Sequence, residues 1–187
     1  MAIDAEGDAG RMSSLAIDGA GALHVSYWDA DADDLKYARI DKTGNVLREV
    51  VDPTDRAGIY NSLALDAWGG VHLTYFEATN LDLKYAYRAA SGEWKVRSID
   101  DFGAKGGHST LAVDAAGGIH VGYYDYTDND LEYAHLAPGA TDFTLETVDW
   151  EGDVGAGIGL AVDSTGAIHL AYVDDTHFDL KYAYLCP

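Results

Sequence analysis

Between Ser62 and Tyr87 the chain reads "SLALDAWGGVHLTYFEATNLDLKYAY", and its hydrophobic and polar positions alternate in short runs broken by Gly or by clusters of Asp, Asn and Thr. A period of two places successive side chains on opposite faces of a β-strand. In "HLTYFE", His72, Thr74 and Phe76 share one face while Leu73, Tyr75 and Glu77 share the other. Both faces therefore carry large apolar groups, the pattern of a sheet covered on both sides. In "LKYA", Leu83 and Tyr85 lie on one side, Lys84 and Ala86 on the other. The runs are rich in Val, Ile, Tyr and Trp, and no segment sustains a helical period.

The same pattern occurs four times. Asp18, Asp66, Asp114 and Asp163 are 48, 48 and 49 residues apart, inside "SLAIDGAGALHVSYWD", "SLALDAWGGVHLTYFE", "TLAVDAAGGIHVGYYD" and "GLAVDSTGAIHLAYVD". Each copy continues through a polar loop into "DLKYA" or, in the third, "DLEYA"; the first three then run on into "NVLREVVD", "GEWKVRSID" and "DFTLETVD". Four short antiparallel strands per copy with no intervening helix predict an all-β chain, a β-propeller of four four-stranded blades. Leucine-rich repeats and β-helices have shorter periods. The Gly of each "DxxG" step supplies the positive φ of a tight turn.

At 187 residues the chain is expected to form one domain. Its repeats cover about 5–52, 53–100, 101–149 and 150–187, with residues 1–4 as a partial closing strand. The last copy lacks a fourth strand, which leaves two arrangements: a closed four-bladed toroid, or an eight-bladed ring made by C2 pairing of two chains, each N-terminus patching the other's final blade. The homodimer is the arrangement favoured.

Composition removes several function classes. Twelve Lys+Arg against 32 Asp+Glu give a formal net charge of −20, which repels phosphate backbones and anionic lipid, so neither nucleic acid nor a membrane is an expected partner. The single cysteine, Cys186, permits no intrachain disulfide and no Cys-based zinc site. No basic segment followed by an apolar core opens the chain and no run reaches membrane-spanning length, so a soluble chain without a signal peptide is expected.

Candidate chemistry follows from topology. His24, His72, His120 and His169 occur once per copy, a spacing that suits hydrogen-bonded structural roles better than one metal centre. Asp18, Asp66, Asp114 and Asp163 suit turn formation. Lys36, Lys84 and Lys181 recur but Glu132 replaces them in the third copy, so they read as structural or solvated. Loops between the second and third strands, and loops between blades, should emerge on one face, which would be acidic and aromatic-rich. From it come the candidate ligand-binding residues Trp28, Asp29, Phe76, Glu77, Tyr124, Asp125 and Asp174, with Tyr60, His108, Tyr126, Trp150, His177 and Phe178 nearby. Flat rings beside carboxylates suit sugars, quaternary amines or basic peptides. No cofactor is required; structural or adventitious calcium is compatible with "DADADD" and "DYTDND", although neither has the Gly and Glu spacing of an EF-hand.

The pattern S-L-A-x-D-x-x-G-x-x-H-x-x-Y-x-D followed by D-L-K-Y-A resembles the repeats of large bacterial and archaeal propeller proteins, and "LAVDSTGAIHLAYVD" is similar to the first half of an NHL-type propeller repeat. The resemblance spans nearly the whole chain and implies recognition or scaffolding, at the cell surface or outside the cell. Sialidase-type propellers differ: their S-x-D-x-G-x-T-W box is absent from all four turns, and the six arginines are scattered, so no catalytic residue is assigned. The expected function is a noncatalytic recognition module for glycan or protein ligands. An architectural scaffold and a glycosidase-like enzyme are the alternatives.

Overall fold

The computed structural model describes residues 1–54 and 56–186. Its strands form four sheets, each an antiparallel meander in chain order. Blade 1 contains β1 (Ala9–Ile17), β2 (Leu23–Asp29), β3 (Asp34–Ile40) and β4 (Val46–Asp52). Blade 2 contains β5 (Ala57–Leu65), β6 (Val71–Glu77), β7 (Asp82–Arg88) and β8 (Lys95–Asp100). Blade 3 contains β9 (Lys105–Val113), β10 (Ile119–Asp125), β11 (Asp130–Leu136) and β12 (Thr144–Asp149), and blade 4, among the described residues, only β13 (Val154–Val162), β14 (Ile168–Asp174) and β15 (Asp179–Leu185).

Neighbouring blades stack mainly through their innermost strands, β1 on β5, β5 on β9 and β9 on β13. Among the described residues no comparable packing joins blade 4 to blade 1. The closed four-bladed toroid allowed by the sequence is thus not what the chain forms: it is an arc with two open ends. Three hydrophobic clusters hold it, one per junction. Leu35 and Tyr37 of blade 1 meet Leu63, Leu73 and Tyr75 of blade 2. Leu83 and Tyr85 meet Leu111, Val121 and Tyr123, and Leu131 and Tyr133 meet Val154, Leu170 and Tyr172. Full burial of one such side chain stabilises by roughly 1.5–3 kcal/mol.

The recurring polar residues fasten this frame. Asp66 Oδ1 accepts the backbone N–H groups of Trp68 and Gly70 at 2.8 and 2.7 Å, closing the β5–β6 turn. Its Oδ2 lies 3.1 Å from Nε2 of His72, whose Nδ1 lies 2.6 Å from the Tyr85 hydroxyl. The chain Asp–His–Tyr, which stitches a turn to the second and third strands, recurs as Asp18–His24–Tyr37, Asp114–His120–Tyr133 and Asp163–His169–Tyr182. The four histidines have the hydrogen-bonded structural role expected of them. Among the described residues no three His, Cys, Asp or Glu side chains converge as a metal-holding group.

A second repeated bond crosses between blades. The hydroxyls of Tyr75, Tyr123 and Tyr172 donate to Asp52, Asp100 and Asp149, the last residues of β4, β8 and β12, at 2.5, 2.8 and 2.8 Å. Tyr27 makes the same bond to Asp4 at 2.8 Å, so the N-terminal residues occupy the place where an outer strand of a preceding blade would end. The lysines serve these carboxylates: Lys36 pairs with Asp29 and Asp4, Lys84 with Asp52, and Lys181 with Asp149 and Asp174. In blade 3, where Glu132 stands, the cation comes instead from Lys105 on the inner strand, which pairs with Asp125. Burial pushes the Glu132 carboxyl upward, and the Thr147 hydroxyl donates to it at 2.8 Å.

Candidate functional site

The loops linking second to third strands and those linking successive blades share one face, as topology required. A backbone bond ties each pair: Ala30 N–H to Asp8 C=O, Ala78 to Arg56, Tyr126 to Ala104 and Asp175 to Asp153, at 2.8–3.1 Å. On this face Asp29, Glu77, Asp125 and Asp174 each end a second strand and are buried. Each turns inward to accept loop N–H groups, from Asp31 and Ala32, from Thr79 and Asn80, from Thr127, and from His177 respectively. Their oxygens hold the loops in shape, as capping carboxylates do.

Of the preceding residues Trp28, Phe76 and Tyr124, the last two reach the following blade, Phe76 at the Tyr126 ring and Tyr124 at Asp153. Phe76 and Tyr124 are buried, and the Tyr124 hydroxyl reaches Asn129 Oδ1 and Asp153 Oδ1 at 2.8 and 2.7 Å. Trp28 Nε1 is buried with no hydrogen-bond partner among the described residues, and the Arg11 guanidinium lies 5.9 Å from its ring centre. Of the seven candidates, then, Phe76 and Tyr124 come together at the junction of blades 2 and 3, while Trp28 stands apart in blade 1.

What gathers around Phe76 and Tyr124 comes from an irregularity in the inner strands. Each breaks register near its start, and Met12, Tyr60 and His108 occupy the break with φ of 49°, 52° and 52°. A bulge re-aims its side chain. Tyr60 and His108 consequently stack with ring centres 4.5 Å apart. His108 meets Tyr124 edge-on at 6.4 Å, Tyr124 meets Tyr126 at 4.9 Å, and Phe76 meets Tyr126 at 5.9 Å. The result is a five-ring cluster whose exposed member is Tyr126, with Tyr60 and His108 half-buried. Burial, then a hydrogen bond with Tyr60, pushes the Tyr126 hydroxyl well above its ordinary range, and burial holds the His108 imidazole below its ordinary value. Such a surface offers ring faces, neutral hydroxyls and the nearby Asp153 and Asp175 carboxylates. The sequence placed Tyr60 and His108 beside the candidate face but carried no sign of the bulge that stacks them, beyond their shared offset before "NSLALD" and "STLAVD".

Carboxylates also face one another at the loop roots, Asp29 opposite Asp34 and Glu77 opposite Asp82. Burial raises Asp34 and Asp82, whereas Asp29 and Glu77 are held low by their hydrogen bonds against the same desolvation. An acid and a base could be separated this way, but the arrangement repeats from blade to blade and follows from the loop design.

On the opposite rim, a cleft of about 370 Å³ opens between blades 2 and 3, lined among others by His72, Tyr85, Tyr87, Lys95, Arg97 and Leu136, and by no carboxylate. The Arg97 guanidinium lies 4.9 Å from the Phe143 ring centre and 5.5 Å from that of Tyr85, and donates to the Thr141 carbonyl. Neither Arg97 nor Lys95 has an acidic partner among the described residues. The corresponding cleft between blades 1 and 2 is closed by Arg88, which pairs with Glu49 and lies against Tyr37 and Trp94. Here Arg97 stands at the position of Glu49 and Leu136 at that of Arg88, so the ion pair is lost and space appears.

No protein-family model and no curated protein sequence matches the chain. Solved structures do. The Aleuria aurantia lectin, determined in complex with Fucα1-6GlcNAc, superposes with a TM-score of 0.67 at 12% identity, over 94% of this chain and 60% of the lectin. A Hadza microbial sialidase gives 0.63 at 12% identity over 94% of this chain and 44% of its own length. An exo-β-1,3-galactanase from Phanerochaete chrysosporium, with β-1,3-galactotriose, gives 0.62 at 8%, over 94% and 46%. The chain shares the β-propeller fold of lectins and glycosidases. It spans about half to three-fifths of the length of these neighbours.

Proposed function

We propose that the chain is a noncatalytic carbohydrate-recognition module that holds sugars on its loop face, outside the cell. The observation that carries this reading is the ring cluster Tyr60–Phe76–His108–Tyr124–Tyr126 beside Asp153 and Asp175. A pyranose presents an apolar C–H face to an aromatic ring and hydroxyls to neighbouring acceptors, which is the pairing this surface offers. A fold shared with the Aleuria lectin supports the reading; one shared with glycosidases leaves the fold itself silent on catalysis. The inward-turned, hydrogen-bonded carboxylates Asp29, Glu77 and Asp174 are poor general acids, since a general acid needs its proton retained near neutral pH. No helix among the described residues is long and apolar enough to cross a membrane.

The test is a glycan array with the wild type and Tyr126→Ala, with and without calcium. Binding to a group of related neutral sugars, weakened about tenfold or more by Tyr126→Ala, is expected; a factor of ten is about 1.4 kcal/mol. Unchanged binding in the variant would remove the cluster from consideration, and silence across the array would favour an architectural role. The cationic cleft supports a second reading, recognition of a carboxylate-bearing sugar by Arg97 and Lys95. On the same array it requires acidic glycans to lead and Arg97→Gln, rather than Tyr126→Ala, to abolish their binding.

A further inference from the structure

The two open ends of the arc carry the two halves of the junction found three times inside it. At the interior junctions a leucine of the third strand is fully buried, Leu35, Leu83 and Leu131 at 0% exposure, while its counterpart Leu180 is 80% exposed. Tyr182, the counterpart of Tyr37, Tyr85 and Tyr133, is 61% exposed. At the other end Leu15 and Ile17, the counterparts of Leu63 and Leu65, are 60% and 64% exposed where Leu63 is buried and Leu65 half-buried. Apolar side chains on this scale, contiguous on a sheet face, mark a surface meant to be covered.

The receiving side is shaped as well as apolar. Gly58, Gly106 and Gly155 have φ of 106°, 100° and 107°, and a Cβ on them would lie 3.0, 2.9 and 2.9 Å from the Cα of Leu35, Leu83 and Leu131. Each is a glycine because the leucine of the preceding blade rests directly on its backbone. Gly10 keeps this conformation at 99°, yet nothing lies within 4 Å of its would-be Cβ. Around it a cavity of about 260 Å³ is lined by Ala9, Gly10, Val25 and Tyr27, with the chain's own Met1, Ile3 and Asp4; the first four are the counterparts of Ala57, Gly58, Leu73 and Tyr75, which pack with Leu35. The complementary open groove on blade 4 is lined by Gly159, Ala161, His169, Ala171 and Tyr182.

Backbone donors and acceptors agree. Ala57, Lys105 and Val154 each donate N–H to the carbonyl of Asp33, Leu81 and Asn129, at 3.0, 2.9 and 3.0 Å. Those three carbonyl residues share φ near +60° with Phe178, whose counterpart donor is Ala9 at the far end of the arc. One chain cannot bring Ala9 and Phe178 together.

We propose that a second copy of the chain covers both ends at once, Leu180 of each seating on Gly10 of the other, to close an eight-bladed ring with twofold symmetry. Copies of a four-bladed arc close only in multiples of four blades. Four is excluded by the separated ends, twelve lies beyond the usual four to eight blades of a propeller, and eight needs two chains. The partner's Ala2 and Ile3 then lie along the free edge of β15, since Lys36 pairs with Val50 and Leu35 with Asp52 in blade 1, and Asp4 is the counterpart of Asp52. The edge is thereby partly protected from open-ended association.

The experiment is a solution mass by light scattering across a hundredfold concentration range, on the wild type, Leu180→Glu and Gly10→Val. A chain mass of 20.0 kDa makes the closed ring twice that value, independent of concentration once formed. Both variants, one on each end, should drop to a single chain while keeping the strand signal of the wild type in circular dichroism. A wild type that stays at one chain mass, or grows without limit as a filament, overturns the proposal, as does retention of the doubled mass in both variants. Should Leu180→Glu fail to fold, Gly10→Val gives the same readout from the opposite face.

Discussion

Residues 82–87 and 179–184 are the same hexapeptide, "DLKYAY", yet one is the heart of a junction and the other lies open. In β7 the Leu83 and Tyr85 side chains are enclosed by blade 3; in β15 Leu180 and Tyr182 face outward with no neighbouring blade. The internal bonds of the two strands are alike, since Tyr85 joins His72 as Tyr182 joins His169. Local structure therefore follows the sequence of the blade, while burial follows from what stands beside it. Stability in such an array is a sum of blade and junction contributions, and identical letters contribute differently in the two places.

The comparison is broken most severely by Leu83→Ala, which should cost about 2–5 kcal/mol, the range for emptying a fully buried leucine site. Leu180→Ala, measured in protein diluted to single chains, should cost under about 1 kcal/mol. Urea unfolding of both decides this, and equal losses would show that the end face is covered in the isolated chain. Next comes Gly58→Ala against Gly10→Ala. Both add a side chain at positive φ, but only the first meets a leucine backbone, so it should lose a further ~1–3 kcal/mol from overpacking.

A smaller effect sharpens the comparison through pH. Burial, opposed in part by Asp18 and Asp66, holds the His24 and His72 imidazoles below their ordinary value of 6.5. The unfolded chain therefore binds protons more readily than the folded one, so this contribution is complete above about pH 6.5 and is lost as pH falls below it towards the folded values. Unfolding midpoints at pH 7.5 and 5 should differ, and His72→Gln should flatten that difference. Asp82 and Glu132, whose carboxyls burial raises, work in the opposite sense, so the variant isolates the histidine. A slope unchanged by His72→Gln would mean that other groups set it.

The strands, their four-fold repetition and the pairing of faces in "HLTYFE" could be read directly, because alternation and turn residues are local properties. The structural roles of His72 and Asp66 were legible for the same reason: their bonds reach only six residues along the chain to each other and thirteen to Tyr85. Asp29, Glu77, Asp125 and Asp174 were placed on the right face but not in the right posture. Whether a carboxylate at a strand end points to solvent or folds back onto its loop depends on backbone N–H groups whose orientation the letters do not carry.

The sequence by itself determined what each blade is, since every blade is closed by hydrogen bonds and contacts within about fifty residues of chain. Only the tertiary structure decided how the blades are used. It brought Tyr60 and His108 together across a junction, opened the cleft at Arg97 where a neighbouring blade closes its own with Arg88, and left Gly10 and Leu180 bare at opposite ends. Each of these depends on the distance between surfaces of different blades, and that distance is set by the curvature of the whole arc.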